Sequence, residues 1–169
     1  MSSLYSLVDA LAKKHTLSKE EYVTLIDGQN SEIAEYAQKK ADELRRRIYS
    51  NKVFVRGLIE IGNYCKNDCL YCGIRKSNAD CDRYILTEEQ ILNCCKEGYA
   101  LGFRTFVLQG GEGIFSVGKV CSIVKEIKSM YPDCAVTLSL GECETQDYEK
   151  MYSAGADRYL LRHETASRE

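Results

Sequence analysis

From Val53 onward the chain alternates short apolar runs with helix-patterned stretches, and this alternation restricts the possible folds more than any other feature of its 169 residues. The runs Val53–Ile61, Thr105–Gln109, Ala135–Leu140 and Arg158–Leu161 read as strands, and Thr87–Leu101, Val117–Met130 and Thr145–Ala154 read as helices. Strands and helices in strict alternation predict parallel strands joined by helical crossovers. Local signals agree: Thr87 and Gln90 form a capping-box pair, and Gly102 and Gly155 follow helical runs where a C-terminus favours glycine. Pro132, the only proline, falls between a helix and a strand, where it breaks nothing. Four β/α units are half of an eight-stranded barrel, which takes about 250 residues. The expected class is therefore α/β, with about four parallel β/α units over residues 51–169. Its first and fourth strands would then be open edges, prone to association.

Residues 1–50 read as a separate helical segment. Leu4, Leu7, Val8, Leu11 and Ala12 share one stripe, and Ile33, Ala34, Ala37, Ala41, Leu44 and Ile48 recur at helical spacing. Ser18 with Glu21 three residues later marks a helix start. The basic run Lys39 to Arg47 has Asp42 and Glu43 interleaved and reads as a solvated helix face. A hydrophobic content of 44% suits an ordinary globular core. A net charge of −2 gives no electrostatic case for a nucleic-acid partner or an anionic membrane surface. No apolar run is long enough to span a bilayer, and the first residues lack the pattern of a secretion signal. The expected location is the cytoplasm.

Immediately after the first strand run stands Cys65-Lys66-Asn67-Asp68-Cys69-Leu70-Tyr71-Cys72. A loop this short can aim three thiolates at one centre, and thiolates are the ligands of iron–sulfur clusters. Three ligands on a four-iron cluster leave one iron open, as reactive metal sites require. Zinc is the competing occupant, but zinc knuckles need a second cysteine pair, and the chain has only two histidines, His15 and His163. The nine cysteines cannot all pair, and without a secretion signal reduced thiols plus a metal site fit better than disulfides. Cys81, Cys94, Cys95, Cys121, Cys134 and Cys143 share no common spacing and read as small core residues.

Three further clusters fall at strand ends, where barrel active sites are built. Gln109-Gly110-Gly111-Glu112 follows the second strand, and its glycines would let backbone approach a ligand. Thr137 and Ser139, two apart in the third strand, face one side, with Glu142 just beyond. A helix-capping role for Ser139 is the plainer alternative. Arg162-His163-Glu164 ends the fourth strand.

With their flanks, these motifs resemble the radical S-adenosylmethionine (SAM) enzymes of the biotin-synthase-like branch. The resemblance rests on Ile59-Glu60-Ile61-Gly62-Asn63-Tyr64-Cys65, Asp68-Cys69-Leu70-Tyr71-Cys72-Gly73-Ile74-Arg75 and Val107-Leu108-Gln109-Gly110-Gly111-Glu112. Thr137-Leu138-Ser139-Leu140-Gly141-Glu142 and Ala154-Gly155-Ala156-Asp157-Arg158-Tyr159-Leu160-Leu161-Arg162-His163-Glu164-Thr165 are similar to the radical SAM maturases of [FeFe]-hydrogenase. One position departs, since several relatives carry an acid where this chain has Gly113. The resemblance implies a partial (β/α) barrel over residues 51–169, the N-terminal half of a longer protein. It also implies a [4Fe-4S] cluster on Cys65, Cys69 and Cys72, and SAM bound through its amino and carboxylate groups to the open iron. It implies adenine near Tyr71, the methionine amino group at Gln109 to Glu112, the ribose at Glu164 and Arg162 at the rim. Thr137, Ser139 and Glu142 complete the expected cofactor-binding set. Reductive cleavage of SAM would yield a 5′-deoxyadenosyl radical, directed at a small-molecule or iron-complex substrate, with other hydrogenase maturation proteins as partners. Chemistry of the methylornithine synthase or biotin synthase kind, or a non-catalytic iron–sulfur-binding fragment, are the alternatives.

Overall fold

The computed structural model describes residues 3–163, which form two compact units, one ending at Phe54 and the other starting at Val55. The first unit is helical: α1 (Leu4–Lys14), α2 (Lys19–Asp27) and α3 (Ser31–Tyr49). Each begins at a side-chain cap, from Ser3, Ser18 and Asn30, and at Ser18 the box with Glu21 is complete. These caps satisfy amide groups that the first helical turn leaves without partners. Leu7, Val8 and Ile33 are buried, whereas Ile48, which ends the predicted stripe, is 60% exposed.

The second unit runs β1 (Gly57–Gly62), α4 (Glu88–Ala100), β2 (Thr105–Gly110), α5 (Val117–Met130), β3 (Ala135–Ser139), α6 (Thr145–Ser153) and β4 (Arg158–Tyr159). Its strands pair in the order β1-β2-β3-β4, all parallel. Thr87 caps α4 in a box with Gln90, as expected, and Gly102 and Gly155 take left-handed φ values of 94° and 110° after their helices. The partial β/α barrel class is thus the observed one.

The strand boundaries differ from the pattern at two ends. Val53 to Arg56 are not in β1, whose ladder begins where Gly57 meets Phe106 near the start of β2. Apolar residues upstream have no strand beside them, and Val53, Phe54 and Val55 are exposed. At the other end β4 pairs with β3 only through Thr137–Arg158 and Leu138–Tyr159, although the Leu160 amide still donates to the Leu138 carbonyl at 2.8 Å.

One face of the sheet carries Ile59, Ile61, Phe106, Leu108, Val136 and Leu138 into a core with Ile91, Val120, Ile123, Val124, Ile127 and Met151 from the helices. By strand alternation Leu58, Glu60, Val107, Gln109, Thr137 and Ser139 share the other face. They form two rows across the sheet: Leu58, Val107 and Thr137, then Glu60, Gln109 and Ser139 towards the carboxyl end.

Candidate functional site

β1 ends at Gly62, and the chain does not regain regular structure until α4, apart from one antiparallel bridge that returns Ile85 to Gly62. This excursion carries the three cysteines. Backbone turns shape it: the Cys72 amide donates to the Cys69 carbonyl, the Arg75 amide to that of Cys72, and the Lys76 amide to that of Asn67. The Asp68 carboxylate accepts from the Ser77 amide at 2.9 Å, and this bond holds its carboxyl below the usual range. Cys65 and Cys72 are half-buried, and Cys69 is exposed. Leu70 and Tyr71 between them are 90% and 70% exposed.

The Gly-Gly-Glu turn after β2 locks onto this loop. A Cβ on Gly111 would lie 1.9 Å from the Tyr64 carbonyl oxygen and 2.8 Å from the Cys65 Cβ, so only glycine fits. Beyond it the Glu112 amide donates to Cys65 Sγ at 3.4 Å and the Lys66 amide donates to the Glu112 carbonyl at 2.9 Å. The Glu112 carboxylate pairs with Lys66 Nζ at 2.7 Å and accepts from Asn67 Nδ2 at 3.1 Å. Burial works against its ionisation, but the bonds from Lys66, the Glu142 amide and Asn67 outweigh that and hold the carboxyl below its usual range. Its partner Lys66 is correspondingly raised above the usual lysine range by Glu112. Gly141, at φ 88°, passes so close that a Cβ there would collide with the Glu112 side chain.

The family resemblance puts the Gln109 to Glu112 turn at the amino group of a ligand; in the structure the Glu112 carboxylate is engaged by Lys66 and Asn67 of the cysteine loop. The Gly141 carbonyl in turn accepts from the Tyr159 hydroxyl at 2.7 Å, and the Cys143 amide donates to the Tyr148 hydroxyl at 3.0 Å. Two tyrosines therefore fix the turn that presents Glu142.

Most of the sequence-selected residues come together around one cavity of about 530 Å³. Cys65, Cys69, Tyr71 and Cys72 line one side, Gln109 to Glu112 a second, and Ser139, Glu142 and Arg162 a third. Gln109 donates to the Glu60 carboxylate at 2.8 Å, which makes Glu60 a wall residue that motif reading had passed over. Ser139 caps no helix, because α6 starts at Thr145 with Glu144 in the N-cap position. Thr137 does not reach the cavity. It is only 3% exposed, and its Oγ1 has no hydrogen-bond partner among the described residues. Glu164 lies outside the described residues.

Among the described residues no three His, Cys, Asp or Glu side chains stand at metal-holding geometry. The donor set nevertheless suits an iron–sulfur cluster. Three thiols, none in a disulfide, open onto the same cavity from one eight-residue stretch. Arg83 also escapes sequence reading. It has no motif, yet its guanidinium donates to four backbone carbonyls of the cysteine loop.

No protein-family model matches the chain. Among curated proteins, the [FeFe] hydrogenase maturase subunit HydE of Thermotoga maritima is 49% identical over 130 residues, 76% of this chain and 37% of that protein. Biotin synthase of Staphylococcus epidermidis is 26% identical over 172 residues, 96% of this chain and 52% of that one. The chain thus spans about half, or less, of these relatives' length. Among solved structures, methylornithine synthase (PylB) superposes with a TM-score of 0.74 at 25% identity, over 92% of this chain and 46% of that one. HydG, a maturase of the [FeFe]-hydrogenase, gives 0.84 at 22% identity, over 98% and 37%, a likeness of fold. By this sequence identity and this shared fold, the chain is a homologue of part of the HydE-type radical SAM maturases.

Proposed function

We propose that this chain forms the cluster- and SAM-binding part of a HydE-like radical SAM maturase acting on an iron-containing precursor of the hydrogenase cluster. The observation that carries this reading is the convergence of Cys65, Cys69 and Cys72 with the Gly110-Gly111 turn on one cavity. The three thiolates would hold a [4Fe-4S] cluster. When bound, that cluster supplies the electron that cleaves the sulfonium of SAM. The protein's own contribution is placement. Gly111 lets the turn after β2 close against Cys65, and Glu112, through Lys66 and Asn67, fastens the cysteine loop to that turn.

With Glu112 so engaged, Glu142 on the facing lip is the carboxylate left to take the ammonium of SAM, a charge-assisted contact. Gln109, oriented by Glu60, and Ser139 offer hydrogen bonds deeper in the cavity, and Tyr71 and Arg162 stand at its rim. Thr137 lies beneath, and Glu164 is assigned to the ribose from the family resemblance alone. Chemistry of the methylornithine synthase kind is the second reading, favoured by the 32% identity to 3-methylornithine synthase of Methanosarcina barkeri over 107 residues.

Anaerobic reconstitution with iron and sulfide tests the proposal. The chain should take up one four-iron cluster, and Cys69→Ala should remove the brown chromophore, while Cys121→Ala should keep it. An unchanged iron content in Cys69→Ala would sink the assignment. The two substrate readings separate by which precursor, iron complex or amino acid, increases 5′-deoxyadenosine formation under reducing conditions.

A further inference from the structure

The cysteine loop lacks a ladder or helix to satisfy its backbone, yet a reactive metal site needs its ligands held in place. One side chain meets much of that demand. Arg83 Nη1 donates to the carbonyls of Asn63 at 2.5 Å and Ile74 at 3.0 Å, and Nη2 donates to those of Arg75 at 2.7 Å and Asn78 at 3.1 Å. Asn63 precedes the first cysteine of the triad, and the other three carbonyls follow the last, so a single planar group ties the entry of the loop to its exit. The segment that carries Arg83 is itself fixed. Asn63 Nδ2 donates to the Asp82 carbonyl at 2.6 Å, and the Tyr84 amide donates to Asn63 Oδ1 at 2.8 Å. These bonds grip the residues on either side of Arg83. The Asn63 amide completes the frame by donating to the Tyr84 carbonyl at 3.1 Å.

We infer that Arg83 is a positioning residue for the metal centre: its guanidinium holds the two ends of the cysteine loop together, so that Cys65 is presented with Cys69 and Cys72. The inference rests on the proposed cluster-binding function and adds a residue outside the thiol set. A guanidinium suits the task because its donors lie in a rigid plane and can serve several carbonyls at once. Lysine keeps the charge but offers one compact ammonium, which cannot reach carbonyls spread around a planar fork. The geometry therefore distinguishes shape from charge. Arg83→Lys should behave like a loss, and Arg83→Gln, with one amide group to donate, should serve two carbonyls at most.

The two variants and the unsubstituted chain would be compared in three measurements: far-UV circular dichroism, iron and sulfide content after anaerobic reconstitution at limiting iron, and residue-resolved alkylation of the thiols before reconstitution. The expected result is an unchanged dichroism spectrum with apparent iron affinity lowered about tenfold or more, the usual cost of losing a group that orients metal ligands. Alkylation should change too. In the unsubstituted chain exposed Cys69 should react faster than half-buried Cys65 and Cys72, and in both variants the three rates should converge. Full iron uptake by Arg83→Lys would overturn the inference, as would lowered uptake with an unchanged alkylation pattern. Loss of the helical spectrum in both variants would also overturn it, because Arg83 would then hold the fold at large. If the unsubstituted chain itself takes up no cluster, the proposed function fails, and the alkylation contrast still judges the clamp.

Discussion

The two faces of the four-stranded sheet are built from alternate residues of the same strands and do different work. On the helix side Ile61, Phe106, Leu108, Val136 and Leu138 are almost wholly buried, and every one is apolar. On the other side β1, β2 and β3 turn polar towards their carboxyl ends, where Glu60, Gln109 and Ser139 form a row beside the cysteine loop. A one-residue shift of register would exchange the two sets. The alternation therefore does two jobs at once. It gives the core the apolar area that stabilises the unit, and it collects hydrogen-bonding groups where a ligand can meet them.

If that division is right, the heaviest loss should come from the helix side. Leu138→Ala should cost about 2–5 kcal/mol in urea unfolding, the range for truncating a buried leucine. A loss below about 1 kcal/mol would mean that this face is not the packed one.

At the carboxyl end the damage should be local. Gly111→Ala should cost about 1–3 kcal/mol, typical of forcing atoms into filled space. Because the added Cβ would strike Tyr64 and Cys65, cluster uptake should fall with it. Normal uptake with an alanine there would show that the two loops need not touch.

On the polar face some residues should prove to lower stability. Thr137 buries a hydroxyl with no partner among the described residues, so Thr137→Val should stabilise the chain by about 1 kcal/mol. A destabilisation of that size would reveal a partner for the hydroxyl.

The smallest perturbation is chemical. Burial, with lesser contributions from Cys94 and Cys134, pushes the Cys95 thiol up to about 12. A raised pKa keeps the neutral thiol dominant until the pH nears that value, and only the thiolate is nucleophilic. At about pH 8, iodoacetamide should label exposed Cys69 and Cys94 and leave Cys95 unmodified until the protein is unfolded. Rapid labelling of native Cys95 would contradict its place in the core.

Short-range physics made much of the fold legible. Capping boxes at Ser18 and Thr87 and glycines after α4 and the Thr145 helix depend on residues three or four positions apart, so the chain shows them directly. Helix α5 runs over the same span, Val117–Met130, that the periodicity marks. The eight-residue cysteine stretch was equally visible, because its chemistry is carried by spacing.

Pairing was not visible in the same way. The apolar run from Val53 looks continuous, but a strand needs a neighbour, and pairing with β2 begins only at Gly57, opposite Phe106. Nor does any local signal single out Arg83, whose four carbonyl partners lie 5 to 20 residues away.

The sequence by itself determined the element types, the class of fold and the three thiols that make iron–sulfur chemistry plausible here, all through spacing along the chain. Only the tertiary structure decided that Glu112 serves the cysteine loop through Lys66 and Asn67, that Thr137 stays beneath the cavity while Ser139 reaches it, and that Arg83 closes the loop. The physical reason is common to all three. Each depends on which backbone or side chain arrives from a distant element, and hydrogen bonds and steric exclusion act over a few ångströms in space whatever the distance in sequence.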